Sequence, residues 1–244
     1  MLKHMHWAAL GFVVSLAAAA QGAPSFAAAG PDRFEVSSIK AVRPTLAATE
    51  AALQKHDLAA ARAAFAGYGS GWVGIEVYIN TRDKDLYNAL ELTLQAKEEK
   101  DLAAAMPDWP TLISDNQALM AKYDGAIAMV SAAKPLDPIY DDIARLRIVR
   151  ANLRGVAPAL KAGDFATARK AYSGFDDNWD SIEDLIKARS PDGYVAIEKD
   201  MIQIEQALMP DKPDVTQVTT LLGDINMQYN AALMMIMKEA RASA

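Results

Sequence analysis

No cysteine occurs among the 244 residues. That excludes disulfides as a source of stability, a thiolate nucleophile, and a zinc site of the usual His/Cys kind. Histidine is scarce, with three copies, and two of them, His4 and His6, lie in an N-terminal stretch that reads as a removable leader. A Ser-His-Asp triad would then rest on His56 alone, in an expected turn between helices. An excess of positive charge is missing too: 25 Lys and Arg against 31 Asp and Glu give a net charge of −6, which argues against nucleic acid. Alternating strand patterns nowhere persist beyond a few residues, and after Arg33 no segment has the length and apolarity of a membrane span.

The leader reading rests on the order of its parts. Lys3 gives a positive start, Trp7–Ala20 is an apolar run, and small residues continue through Ala29. A secretory signal peptide has that order, and the run is short for a bilayer crossing. Cleavage after Ala20 or Ala27 fits the small residue two places before each; an uncleaved N-terminal anchor is the competing reading. Lys3 is the leader's only charge, so its removal takes the net charge to −7 (−6 − 1). The expectation is an exported protein, most simply periplasmic, with a signal peptide over 1–29 and helical repeats over 30–134 and 135–244.

What the chain has in quantity is repetition. Residues 57–91 recur as 164–198 at an offset of 107 (164 − 57; 198 − 91), with 15 of 35 positions identical. Only four of these are alanine, so composition does not account for them. The identities include Arg62/Arg169, Gly67/Gly174, Trp72/Trp179, Glu76/Glu183, Arg82/Arg189, Tyr87/Tyr194 and Glu91/Glu198. A fixed period marks a structural unit. Tyr123 and Tyr229 also correspond, although the offset has slipped to 106 after a short indel.

Apolar residues recur at three- and four-residue spacing after Arg33, and Asp57 and Asp164 stand as N-caps before Ala-rich amphipathic runs. The spacing predicts an all-α fold of about eight helices. They fall near Val36–Lys55, Leu58–Arg82, Lys84–Ala105 and Thr111–Ala132, then Ile139–Ala162, Phe165–Ala188, Gly193–Leu208 and Val215–Arg241. Short loops make antiparallel neighbours, so the reading is a tandem duplication of an antiparallel four-helix bundle, joined near Pro135 and Pro138. The Gly67–Gly71 stretch, and Asp176, Asp177 and Asn178 in the second copy, are expected to loosen or kink their helices.

Chemistry points to one stripe. Tyr68, Trp72, Glu76 and Ile79 share a helix face, and Phe175, Trp179, Glu183 and Ile186 repeat it. Glu76 and Glu91 lie equally far on either side of a turn centred at 83.5, each about 11 Å from it at helical rise. Glu183 and Glu198 are placed alike about 190.5. Paired carboxylates on facing helices can hold a cation, and without one they repel. The competing expectation is that Arg62, Arg82, Arg169 and Arg189, repeated as faithfully, pair with the glutamates, and that Glu183 pairs with Lys187.

Weaker candidates have ordinary readings. His56 matches Gly163 and reads as a solvated turn residue; Trp109 reads as a cap over the bundle end. Met227, Met234, Met235 and Met237 resemble a soft-metal cluster for copper, against which stands the use of methionine as core filler. Lys97–Lys100 reads as a solvated face.

The stretch Tyr68-x-x-Gly71-Trp72-x-x-Ile75-Glu76, with Asp83 and then Tyr87-x-x-Leu90-Glu91, resembles the extracytoplasmic helical domain of bacterial iron permeases of the Ftr type. Phe175, Trp179, Ile182, Glu183, Tyr194, Ile197 and Glu198 repeat the pattern, with Asn178 in place of the glycine. The resemblance implies periplasmic iron handling, with Glu76, Glu91, Glu183 and Glu198 as the metal ligands to test. Imelysin-like iron-uptake proteins are a looser likeness that fails on their His-x-x-Glu motif, which His56 does not begin.

The expected function is therefore binding rather than catalysis: an exported protein holding iron or another carboxylate-liganded cation, accessory to uptake, with a membrane permease or another periplasmic protein as partner. The aromatic lining would be Tyr68, Trp72, Phe175 and Trp179. The alternative is a helical scaffold that engages a protein partner without metal. The runs 56–62 and 163–169 resemble the second helix of tetratricopeptide hairpins, although the period of 107 does not match their roughly 34 residues.

Overall fold

The computed structural model describes residues 32–243, and the expected signal peptide lies outside them. The fold is all-α. Nine helices follow one another among the described residues, with no strand. α1 is Phe34–Gln54 and α2 is Leu58–Asn80. α3 is one rod of three abutting segments: α-helical Lys84–Asn88, π-helical Ala89–Gln95 and α-helical Ala96–Ala103. α4 is Trp109–Ala132. α5 is also composite, with Ile139–Ala151, a 3₁₀ turn Asn152–Gly155 and Val156–Lys161. There follow α6 (Phe165–Trp179), α7 (Glu183–Lys187), α8 (Pro191–Leu208) and α9 (Val215–Ser243). No helix among the described residues is long and apolar enough to cross a membrane.

Aspartates start the helices. Asp57, Asp83, Asp108 and Asp164 each accept a hydrogen bond from the backbone N–H three residues on, and Asp214 accepts from that of Gln217. Each satisfies a first-turn amide that the helix leaves without a partner, worth about 1 kcal/mol. The apolar stripes then close around two cores. One, between α1 and α4, is centred on Leu46, Tyr68, Trp72, Leu90 and Tyr123. The other, from α5 to α9, is centred on Leu153, Phe175, Trp179, Ile204 and Tyr229.

Paired contacts set the two halves in register. The Tyr123 hydroxyl donates to Ile39 O at 2.8 Å, and that of Tyr229 to Leu146 O at 2.6 Å. Arg62 Nε donates to Leu102 O at 2.6 Å, and Arg169 Nε to Leu208 O at 2.8 Å. The Trp72 ring stacks on Tyr87 at 6.3 Å, and Trp179 stacks on Tyr194 at 6.4 Å. One residue is out of step. Glu91 to Leu102 is 11 residues (102 − 91), whereas Glu198 to Leu208 is 10 (208 − 198), although their bonds to tryptophan and arginine are the same.

The extra residue lies inside α3, and the π-helical turn absorbs it. Leu90 and Leu102, 12 apart, are both buried, as are Ile197 and Leu208, 11 apart. On a regular helix the first pair would be about 120° out of phase and the second only about 20°. A wider turn restores the phase without a break.

The glycines act differently from expectation. α2 is unbroken through Gly67–Gly71. A Cβ on Gly71 would come within 2.7 Å of Val42 in α1, and one on Gly74 within 2.2 Å of Ile148 in α5. These residues serve close helix approach rather than a kink. In the second half, Asp176–Asn178 stay helical and the break comes later, at Asp180–Ile182, so Phe165–Ala188 is not one helix. The Ser181 hydroxyl and its backbone N–H both donate to Asn178 O, the carbonyl that Ile182 would need to continue the helix. The first half has Val73 and Gly74 at the places of Asp180 and Ser181, and runs on.

The halves lie side by side along α2 and α5. The Tyr78 hydroxyl bonds Asp141 at 2.8 Å, Arg147 bonds Glu76 at 2.7 Å, and Ala144 is part of the first core although it belongs to α5. Val77 and Tyr140 pack against both cores.

Candidate functional site

The structure brings Glu76 and Glu91 together. The π-helical segment carries Glu91 and the stripe of α2 carries Glu76, and the two carboxyls are within hydrogen-bonding reach. Trp72 Nε1 donates to Glu91 Oε2 at 3.2 Å, and the Tyr87 hydroxyl also bonds Glu91. On the other side, Arg147 of α5 donates to Glu76 Oε1. Burial pushes the Glu76 carboxyl up to about 7; Arg147 opposes that rise and the neighbouring Glu91 adds to it. The Glu76 carboxyl therefore keeps a proton up to near neutrality, which is what a bound cation would replace. A cleft of about 230 Å³ between α2, α5 and α9, lined by Glu76, Asn80, Tyr140, Arg147 and Met237, leads to Glu76.

The second half keeps the frame but breaks the helix that carries Glu183. Trp179 Nε1 donates to Glu198, as in the first half. Glu183 has moved with the broken helix to the first turn of α7, where the Tyr194 hydroxyl donates to it at 3.2 Å. Each carboxylate there has its own aromatic donor. The expected aromatic lining is core: Tyr68, Trp72, Phe175 and Trp179 are all buried, with Tyr68 and Trp72 centroids 5.9 Å apart and Phe175 and Trp179 5.8 Å apart.

The expected arginine bridges are not formed as drawn. Arg62 and Arg169 donate to backbone carbonyls at the ends of α3 and α8. Arg82 pairs with buried Glu35 at 2.6 Å, and Arg189 with Glu239 at 2.8 Å and Asp142 at 3.6 Å. The guanidinium on Glu76 belongs to Arg147, a residue outside the repeated segment, so the repeat could not point to it. Lys187 lies over the Tyr194 ring, 5.1 Å from its centroid.

Three further expectations change. Lys97–Lys100 is not wholly solvated: Glu98 is fully buried, because the π-turn rotates it inward. The methionines are core filler only at Met237, which packs against the second core; Met227, Met234 and Met235 are exposed. His56 is exposed but stacks on Trp109 at 4.7 Å, with φ at 55° where Gly163 has 74°. Sequence reading missed Glu98 and Asn116, both 0% exposed. The signal for them was the slip from 107 to 106, which places one extra residue between Glu91 and Tyr123; the matched arginine contacts narrow it to before Leu102 and align Glu98 with Ile204.

Among the described residues no group of three or more His, Cys, Asp or Glu is gathered as a metal centre. Comparison with protein-family models, with curated proteins and with solved structures finds no match to this chain.

Proposed function

We propose that this is an exported binding protein that takes a carboxylate-liganded cation, iron first, at Glu76 and Glu91, in the service of uptake. One observation carries the reading: two carboxyls from facing helices lie within hydrogen-bonding reach, Glu76 lines an open cleft, and the Tyr87 hydroxyl on Glu91 is a further oxygen. Oxygen ligands of this kind suit hard and borderline cations, and carboxylates facing each other across a helical bundle are a recurrent way to hold them. The resemblance to the permease domain favours iron among them and a membrane permease as the partner that receives it. Glu183 and Glu198, each bonded to an aromatic donor, act in this reading as structural counterparts rather than ligands.

Anaerobic calorimetric titration with ferrous, manganous and calcium ions tests the proposal. Loss of one site in Glu76→Gln/Glu91→Gln is the expected result; no heat, or heat unchanged in that variant, overturns it.

A metal-free scaffold for a protein partner is the second reading. Its support is Arg147, which already places a positive charge on Glu76. Arg147→Ala separates the two. If Glu76 and Glu91 bind a cation, losing the competing guanidinium tightens binding; if they only bridge α2 to α5, the variant loses stability and gains no affinity.

A further inference from the structure

The first core is polar where the second is hydrocarbon. With the register set by the tyrosine and arginine contacts, Glu98 stands where Ile204 does (98 + 106) and Asn116 where Leu222 does (116 + 106). On α1, Thr49 and Glu50 stand at the places of Val156 and Ala157 (offset 107), and on α2 Tyr68 stands at that of Phe175. The second half shows that the fold packs with apolar side chains there, so packing alone does not demand the polar ones.

Two of those polar residues, Glu98 and Asn116, are not fully satisfied from within. Glu98 and Asn116 are 0% exposed, yet neither Glu98 oxygen nor Asn116 Oδ1 meets a protein donor. The Asn116 amide is fixed, because Nδ2 donates to Leu46 O at 3.2 Å and to Glu50 Oε2 at 2.9 Å. Turned over, its oxygen would face two acceptors. One turn before Glu98, Gln95 Oε1 is also buried without a donor, its nitrogen given to Glu99 at 3.2 Å. The orphaned atoms on α3 and α4 are thus all acceptors. A proton on Glu98 would supply one donor among four of them.

The π-turn decides which side chain enters. On an unbroken α-helix phased on Leu90, Lys97 would point inward, about 20° off, and Glu98 would be about 80° off. The inserted residue turns Glu98 in and sends Lys97 out to Asp115 and Asp101. π-turns of this kind recur at functional sites.

We propose that this interior binds a hard divalent cation of the calcium or manganese class, held by the Glu98 carboxylate and the Asn116 amide oxygen, with Glu50 as the neighbouring negative charge. Oxygen-only donors, carboxylate and amide together, are what such ions take. The site is two turns beyond Glu91 on α3 and is independent of the Glu76–Glu91 pair. Hydrogen bonds from Asn116, Gln54 and Gln117 overcome the effect of burial and hold Glu50 below its usual range, so it stays ionised. Burial pushes Glu98 up to about 8, with Asp115, Glu50 and Asp101 adding and Lys97 opposing. Without a cation, the stability tied to Glu98 is complete below the ordinary carboxyl range and is lost as pH rises through about 8. A cation that replaces the proton therefore stabilises more at high pH and releases a proton on binding.

Scanning calorimetry of the chelator-treated full chain carrying Glu76→Gln/Glu91→Gln, so that the other carboxylate pair takes no cation, reads this directly when calcium or manganese is added. At pH 8.5 the melting temperature should rise by roughly 5 °C at about a hundredfold excess over Kd, and by less at pH 6. Glu98→Ile/Asn116→Leu, which copies Ile204 and Leu222, should show no rise. Glu98→Gln, which keeps the shape and removes the charge, should show none either. No rise at pH 8.5, or a rise that survives in either Glu98 variant, overturns the site.

Discussion

Trp72 and Trp179 each donate to a glutamate 19 residues on, and Tyr123 and Tyr229 tie the last helix of each half to the first. Within that shared frame the halves have gone separate ways. The second fills its interior with Ile204, Leu222, Val156 and Phe175, while the first puts Glu98, Asn116, Thr49 and Tyr68 at the same places. The first keeps its two glutamates within hydrogen-bonding reach, and the second breaks the helix that carries Glu183 and gives each glutamate its own aromatic donor. Burying unpaired polar groups costs stability, and the first half bears that cost at places where its twin packs hydrocarbon. The frame belongs to both halves, and the candidate chemistry to one.

Three measurements would break or sharpen that contrast. The largest effect concerns the inserted residue. Deleting Thr93, which is exposed in the π-turn, should restore a regular helix and cost within about 1 kcal/mol in urea unfolding. Deleting Lys199 from the regular α8 should turn Met201, Ile204 and Leu208 away from the core and cost roughly 5 kcal/mol or more. Equal costs would mean that the π-turn is not the place of the extra residue.

Next, Ile204→Glu transplants the first core's carboxyl into the second without its neighbours. The expected loss is about 4 kcal/mol at pH 8, shrinking as pH falls and the carboxyl protonates. A change below about 1 kcal/mol would show that both interiors accept charge alike.

The smallest contrast concerns the matched arginines. Arg82→Ala leaves Glu35, whose side chain is 4% exposed, with only Arg33, and should cost about 3 kcal/mol. Arg189→Ala frees Glu239, 54% exposed, and the more distant Asp142, and should cost less than about 1 kcal/mol in the same assay.

Helix type, the aspartate caps and the pairing of Tyr123 with Tyr229 were legible because each is a local signal read at a fixed spacing. So was the approach of Glu76 to Glu91, which follows from equal distance to a turn. What stayed hidden depended on phase or on the other half. Glu98 sits between Lys97 and Glu99 in a run that composition assigns to water; only the added residue upstream turns it inward. Arg147 reaches Glu76 from a helix outside the repeated segment, and no spacing within the repeat foretells it. The glycines of α2 read as flexibility because sequence does not show which neighbour needs the room.

That room has a consequence for how the molecule comes apart. α2 is a party wall: Gly71 admits α1 on one side, Gly74 admits α5 on the other, and Val77 touches both interiors. Neither half can shed α2 without exposing apolar surface of both. Two cores that share a wall of this kind lose their order together, so heating should give one cooperative transition rather than two in succession.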